Sequence, residues 1–185
     1  MIPLKLRRKH LRAPLHTNFL YKDSRGVRKG TVENISEGGV YLTGLDDTPP
    51  NQIFDVFFDL PEIVNFSGLP MSEILSLGRE SFKHHVFHAE LEVKRSNDIG
   101  HNNSLAIGCE FFKIDSDQQD LIKRYVSNYA TNIVFTLSLF EQGIHRREVK
   151  ELVMKSVDLL NYPRIEKTAD LRQKLLHDYQ SLESL

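Results

Sequence analysis

Apolar and polar residues alternate along several short segments in the first two-thirds of the chain, a pattern typical of β-strands. Residues 86–95 show the alternation most clearly, because Phe87, Ala89, Leu91 and Val93 fall on one parity and mainly polar residues on the other. Six strands are predicted, at residues 15–22, 27–35, 40–43, 53–60, 86–95 and 104–114. Short strands separated by turns, without intervening helices, favour a small antiparallel barrel or sandwich.

The hydrophobic period becomes helical near residue 116, where apolar residues begin to recur at i, i+3 and i+4 from Leu121 onward. Ser116 is expected to cap this helix, which extends for about 26 residues towards Gly143, a residue suited to a helix C-terminus. Two further apolar stripes predict helices at residues 145–162 and 164–182. The chain therefore combines a β-rich part with a C-terminal extension of about three helices.

The chain is predicted to comprise a basic arm (residues 1–14), a barrel with its closing helix (residues 15–128) and a helical extension (residues 129–185). Within the barrel, residues 61–83 form a long segment with one short helix predicted at 72–77, and a segment of this length is either functional or a local insertion. The extension adds more helices than the one long helix that commonly closes a small barrel. We expect it to pack on itself, on the barrel or on another subunit, and homo-oligomerisation through it is one hypothesis.

Charge is distributed unevenly although the formal net charge is only −1. Residues 1–30 contain nine of the 24 Lys and Arg residues but one of the 25 acidic residues. A basic end on an otherwise acidic chain points to an anionic partner of that end. A solvated basic tail is the plain alternative.

Other functional classes find little support in the sequence. His84, His85 and His88 suggest a metal site, but His85 points away from the other two on a strand, so a polar strand edge is favoured and no metal is expected. Cys109 is the only cysteine, lies in an apolar strand and is predicted to be a buried, inert thiol. One cysteine, no apolar run of membrane-spanning length and no signal-peptide pattern favour a cytoplasmic protein. Without a Walker loop, hydrolase elbow or paired carboxylates, neither an enzyme nor a cofactor is predicted.

Two motifs carry the candidate chemistry, and the first is a pair of arginines. Arg8 and Arg12 are four positions apart, Arg7 precedes them, and Ala13-Pro14 follows. An arginine side chain offers a planar fork of donors that matches a phosphate, and its face stacks on a base. The pair therefore indicates an anionic nucleotide, although a flexible basic arm explains the arginines taken alone.

The second motif is the turn Asn34-Ile35-Ser36-Glu37-Gly38-Gly39, between two predicted strands. The short side chains of Asn34 and Ser36 bind bases, phosphates or the local backbone. Gly38 and Gly39 permit positive φ angles and let a ligand approach the backbone. Each motif is common by itself, but their order and their separation by about 25 residues are jointly specific.

Together the motifs resemble the PilZ domain family, bacterial receptors for the second messenger cyclic di-GMP. The resemblance covers about residues 5–128 and includes residues 7–14, 32–40, 93–95 and 107–111. It implies a six-stranded antiparallel β-barrel with a C-terminal helix, followed in this chain by the helical extension. It says nothing about the segment 61–83 or about the extension.

The resemblance also implies roles for single residues. Arg8 and Arg12 are expected to hold the phosphates and stack on guanine, and a basic residue at the position of Arg7 favours an intercalated ligand dimer. Further ligand contacts are implied at Asn34, Ser36 and Gly39, with Gly38 beside them. The ligand is expected to order the basic arm against the barrel and so change the surface shown to an effector protein.

Two alternatives stay open at this point. A nucleic-acid or other polyanion-binding protein would use the basic residues 5–29, favour long ligands and lose affinity steeply with salt. An assembly or adaptor module would use the apolar stripes of residues 129–185, and this role is compatible with a receptor.

Overall fold

The structure, a computed structural model, describes residues 10–23, 26–45, 47, 49, 52–98, 105–162 and 167–183. Contacts within the chain group these residues into two compact units. The first contains residues 12–62 and 84–126, and the second contains residues 10–11, 63–83 and the described residues from 127 to 183. The sequence did not predict that residues 63–83 belong with the C-terminal helices.

The first unit is a closed six-stranded antiparallel barrel, which confirms the predicted architecture and rules out the sandwich. Its strands are β1 (Arg12–Asp23), β2 (Gly26–Ser36), β3 (Gly39–Leu45), β4 (Ile53–Glu62), β5 (Lys83–Asp98) and β6 (Leu105–Lys113). They follow one another around the barrel in the order β1-β2-β3-β6-β5-β4, and β4 pairs with β1 to close it.

Strand β1 begins at Arg12, three residues before its predicted start at residue 15. The reason is that Arg12, Ala13 and Pro14 already pair with β2, opposite Ser36, Ile35 and Asn34. Ala13 is fully buried, so its methyl group belongs to the core. The last three residues of the predicted arm therefore belong to the sheet. Residues 1–9 lie outside the described part of the chain.

The barrel interior is filled by the apolar side chains that stand at alternate positions of each strand. Phe19, Val32, Leu42 and Phe87 are completely buried, and each comes from a different strand. Cys109 is also buried, and burial raises the pKa of its thiol to about 12. The thiol therefore stays protonated near neutral pH, as the prediction of an inert cysteine requires.

The first predicted long helix, α2, comprises Ser116–Glu141 and has the expected 26 residues. Its cap differs from the prediction, because Asp115 rather than Ser116 accepts a hydrogen bond from a first-turn amide, that of Gln118, at 2.8 Å. Gly143 follows the helix with a φ of +103°, which suits the predicted C-terminal role. Residues 116–126 belong to the barrel unit and residues 127–141 to the second unit.

The second unit contains the rest of α2 and three other helices, α1 (Met71–Ser76), α3 (Arg147–Leu159) and α4 (Thr168–Glu183). Helix α1 and single 3-10 turns at Phe66–Gly68 and Arg79–Ser81 occupy the segment that the sequence predicted to be mainly irregular. Helices α3 and α4 are shorter than predicted, and Leu160 caps α3 by donating its backbone N–H to the carbonyl of Ser156. None of the helices in the described ranges is long and apolar enough to cross a membrane.

Asn132, a fully buried residue of α2, joins this helix to residues 63–83. Its side chain accepts a hydrogen bond from the backbone N–H of Phe66 and donates one to the carbonyl of Val64, both at 2.8 Å. One turn earlier, Asn128 donates to the carbonyl of Ile63 at 2.7 Å. These side chains satisfy backbone groups that no strand serves, at the point where Ile63 and Phe66 enter the core.

Replacing Asn132 by alanine should therefore destabilise the protein more than replacing Asn128. The Asn132→Ala variant leaves one buried N–H and one half-buried carbonyl without partners, at a cost of about 2–4 kcal/mol, whereas Asn128→Ala leaves one half-buried carbonyl and should cost about 1 kcal/mol. Urea unfolding followed by circular dichroism measures both. Equal losses in the two variants would contradict the role given to Asn132.

Candidate functional site

The turn between β2 and β3 is held from three directions within the barrel unit. The buried hydroxyl of Ser36 donates to the carbonyl of Gly39 at 3.1 Å and so closes the turn from inside. The backbone N–H of Phe111 in β6 donates to the carbonyl of Gly38 at 3.1 Å. The side-chain amide of Gln119 in α2 donates to the carbonyl of Glu37 at 3.2 Å. The turn therefore has a fixed conformation, and Asn34 lies beside it.

The positive φ angles predicted for the two glycines of the turn are not present. Positive φ angles occur at Gly26, Gly44 and Gly143 in the described chain, but at neither Gly38 nor Gly39. Gly39 is needed because a Cβ atom there would lie 2.0 Å from the carbonyl oxygen of Cys109 in β6. The close approach of two strands thus requires this glycine whether or not a ligand binds.

The pairing of β1 with β2 brings the two sequence motifs together. Arg12 lies directly opposite Ser36, and Pro14 lies opposite Asn34. Since Ala13 points into the core, Arg12 and Pro14 point to the outer surface of the barrel. The structure therefore places Arg12 next to the turn, whereas Arg7 and Arg8 lie outside the described residues.

The same outer surface carries residues for which the sequence predicted no ligand contact. Tyr41 lies opposite Asn34, Gly108 lies opposite Tyr41, and Arg95 lies opposite Gly108 on the far strand. The guanidinium carbon of Arg95 is 5.9 Å from the centre of the Tyr41 ring. Only the strand register reveals this row, because its members are scattered over more than 60 positions of sequence.

A polar cluster borders the row on β1, β2 and β3. His16 Nδ1 lies 3.1 Å from Glu33 Oε2, and the hydroxyl of Thr43 donates to Glu33 Oε1 at 2.7 Å. His16 has a φ of +49° and sits where the β1–β2 register shifts between Pro14 and Thr17. Such bulges re-aim side chains and are common next to functional sites.

The family of the chain follows from comparison with known proteins. The family model described as PilZ domain matches residues 6–128. This chain belongs to the PilZ domain family. The match contains both motifs, all six strands and the first part of α2, whereas residues 129–185 lie beyond it.

Solved structures share the barrel. The structure of the inhibitor of motility MotI/DgrA from Bacillus subtilis matches with a TM-score of 0.51 at 16% identity, over 68% of this chain and 52% of that one. This chain thus spans about half the length of that protein, and the likeness shows the fold. The PilZ domain of YcgR from Escherichia coli, solved with c-di-GMP, matches with a TM-score of 0.40 at 15% identity, over 65% of this chain and 89% of that one. No curated protein matches the chain.

Helix α2 is tied to both sides of the candidate site in this PilZ barrel. Besides the bond from Gln119 to the turn, the buried Tyr125 donates its hydroxyl hydrogen to the carbonyl of Pro14 at 2.6 Å. Pro14 follows Arg12 by two residues in β1. The closing helix therefore contacts the two chain segments that carry the two motifs.

The three histidines of β5 lie elsewhere on the PilZ barrel and do not converge. Each is next to its own carboxylate on β4, with His84 2.5 Å from Asp59 and His88 2.7 Å from Asp55. His85 lies 3.0 Å from Glu62. Within the described ranges, no three potential metal ligands come together.

Adding a methyl group at Gly39 should destabilise the PilZ barrel without any ligand present. In Gly39→Ala the new Cβ meets backbone atoms of β6, which cannot rotate away, and the strain should cost about 1–3 kcal/mol. Gly68→Ala is the matched control, because nothing lies within 4 Å of a Cβ at Gly68. Denaturant midpoints of the two apo proteins provide the measurement, and an undisturbed Gly39→Ala barrel would refute the close approach.

Proposed function

We propose that this protein is a non-enzymatic receptor for cyclic di-GMP. Arg7, Arg8 and Arg12 bind the ligand from the start of the chain, and the turn binds it through Asn34, Ser36, Gly38 and Gly39. The β1–β2 register carries the proposal, since it sets Arg12 of one motif opposite Ser36 of the other in a chain of the PilZ family.

The contacts of the proposed site are strong enough to bind a cyclic dinucleotide. A hydrogen bond to a charged group contributes on the order of 1.5–3 kcal/mol. Three arginines on two phosphates therefore supply most of the roughly 8 kcal/mol that corresponds to a micromolar dissociation constant. Asn34 adds a donor and an acceptor for a base. Ser36 also holds the turn in shape, because its hydroxyl donates to the carbonyl of Gly39.

The bound ligand relays its signal by ordering the segment before β1 against the barrel. Ordering one pose of a basic segment shifts its population and changes the surface that an effector protein meets. The hydrogen bonds from Tyr125 to Pro14 and from Gln119 to Glu37 support a second effect, because any shift of β1 or of the turn pulls on α2.

A polyanion-binding protein is the second candidate, and the excess of Lys and Arg in residues 1–30 favours it. The two functions differ in which basic residues matter. A polyanion binder depends on the sum of its charges and loses affinity steeply with salt. A receptor depends on the few arginines beside the turn, whatever the ligand length.

Calorimetric titration with cyclic di-GMP tests the receptor. We expect the wild type to bind, and Arg8→Ala and Arg12→Ala each to lower the affinity at least tenfold, because each removes a charge-assisted contact. Lys29→Ala is the control, since Lys29 is an exposed cation of β2 away from the turn. Equal losses in the Lys29 and Arg12 variants, or tighter binding of long DNA or RNA, would favour the polyanion binder.

The stoichiometry of the same titration tests the proposed part of Arg7. With Arg7 in place we expect two ligands per chain, as an intercalated dimer, because its charge offsets the repulsion between four stacked phosphates. Arg7→Ala should reduce the ratio to one ligand per chain, whereas Lys29→Ala should leave it at two. One ligand per wild-type chain would refute this role.

A further inference from the structure

Three large apolar side chains are exposed in the second unit, where helix α1 lies beside helix α3. Met71 is 55% exposed, Leu75 is 42% exposed and Met154 is 39% exposed. Leu75 and Met154 line one shallow groove between the two helices. Apolar side chains that are exposed at one place and bordered by polar residues are typical of an interaction surface.

Charged residues continue this surface along α3. Helical residues that are four positions apart lie on the same face, so Lys150, Met154 and Asp158 form one stripe along the helix. All three residues line the groove beside Leu75. The stripe therefore carries a cation one turn before its apolar centre and an anion one turn after it.

The charges at the two ends of the stripe remain available to a partner. Arg147 and Glu151, which flank the stripe, form an ion pair with each other at 2.8 Å. Lys150 and Asp158 are both exposed, and within the described ranges neither of them forms an ion pair. A partner of this surface must therefore supply a negative charge at one end of the stripe and a positive charge at the other.

The order of these charges determines which partner fits. A uniformly acidic helix or an anionic membrane would meet Lys150 favourably but would bring negative charge against Asp158. A second copy of α3 that runs antiparallel to the first presents the charges in reverse order. Each Lys150 then lies opposite Asp158 of the partner subunit, and opposite charges meet at both ends.

The spacing of the stripe also fits a twofold arrangement, in which the same surface of both copies forms the interface. When the axis passes beside Met154, the two Met154 side chains meet, because Lys150 and Asp158 are equally far from this residue. A helix rises about 1.5 Å per residue, so the two ion pairs lie about 12 Å apart on either side of the apolar centre. Leu75 of each copy widens that centre.

We propose that the surface formed by Leu75, Lys150, Met154 and Asp158 binds a second copy of this chain, with the two α3 helices antiparallel. Because the apolar centre contains few side chains, the dimer is weak and its population depends on protein concentration. Helix α3 lies beyond the residues that the PilZ family model matches. The dimer does not require cyclic di-GMP, so it is independent of the proposed receptor function.

Sedimentation velocity of the full chain without ligand, over a range of protein concentrations, tests the dimer. Lys150→Glu and Asp158→Lys each turn two attractive pairs into two repulsive ones, and each should weaken association about tenfold. The double variant Lys150→Glu/Asp158→Lys exchanges the charges, restores both pairs and should associate like the wild type. Lys123→Glu is the control, because it reverses an exposed cation of α2 in the barrel unit.

The single reversals should not unfold α3, since they place an acid in its first turn and a base in its last turn, where the helix dipole favours them. Circular dichroism at low protein concentration checks this. A wild type that stays monomeric, single variants that still associate, or a double variant that does not would each overturn the inference. So would binding of the monomer to phosphatidylglycerol vesicles that Lys150→Glu abolishes, which would assign the surface to a membrane.

Discussion

The register between β1 and β2 is the constraint on which the candidate site depends. It sets Arg12 opposite Ser36 and Pro14 opposite Asn34, so two motifs that are far apart in sequence meet on one outer surface. A slip of one residue would turn Arg12 towards the core and Ala13 towards solvent, because side chains alternate between the two sides of a strand. The complete burial of Ala13 therefore fixes the register and the orientation of Arg12 together.

The turn illustrates how one motif meets two requirements at once. Ser36 and Gly39 look like ligand-binding residues in the sequence, yet the Ser36 hydroxyl closes the turn and Gly39 admits the backbone of β6. Neither observation excludes a ligand contact, since Asn34, Glu37 and Gly38 are partly exposed. A loss of binding on mutation of Gly39 would therefore be explained first by the disturbed contact with β6. Substitutions of Arg12 and Asn34 are the cleaner probes of recognition.

The sequence predicted the elements well where one local pattern determines them. Alternation located six strands and the apolar stripe located α2, because each pattern follows directly from which side is buried. Residues 63–66 were different, since their backbone groups are satisfied by Asn128 and Asn132, which lie more than 60 residues away. The row from Asn34 to Arg95 was not predicted for a similar reason. It depends on register shifts between Val32 and Asn34 and between Val93 and Arg95, and a bulge leaves little trace in the hydrophobic pattern.

The bonds of α2 suggest why a small barrel with a surface site needs this helix. The ligand proposed here touches β1 and the turn, and Tyr125 and Gln119 bind the backbone of those same two segments. Any change in their spacing must therefore stretch one of the two hydrogen bonds or move the helix. Both bonds come from residues 116–126 of α2, the part of the helix that belongs to the barrel unit. The first turns of α2 are therefore held to the same two segments that the proposed ligand would join.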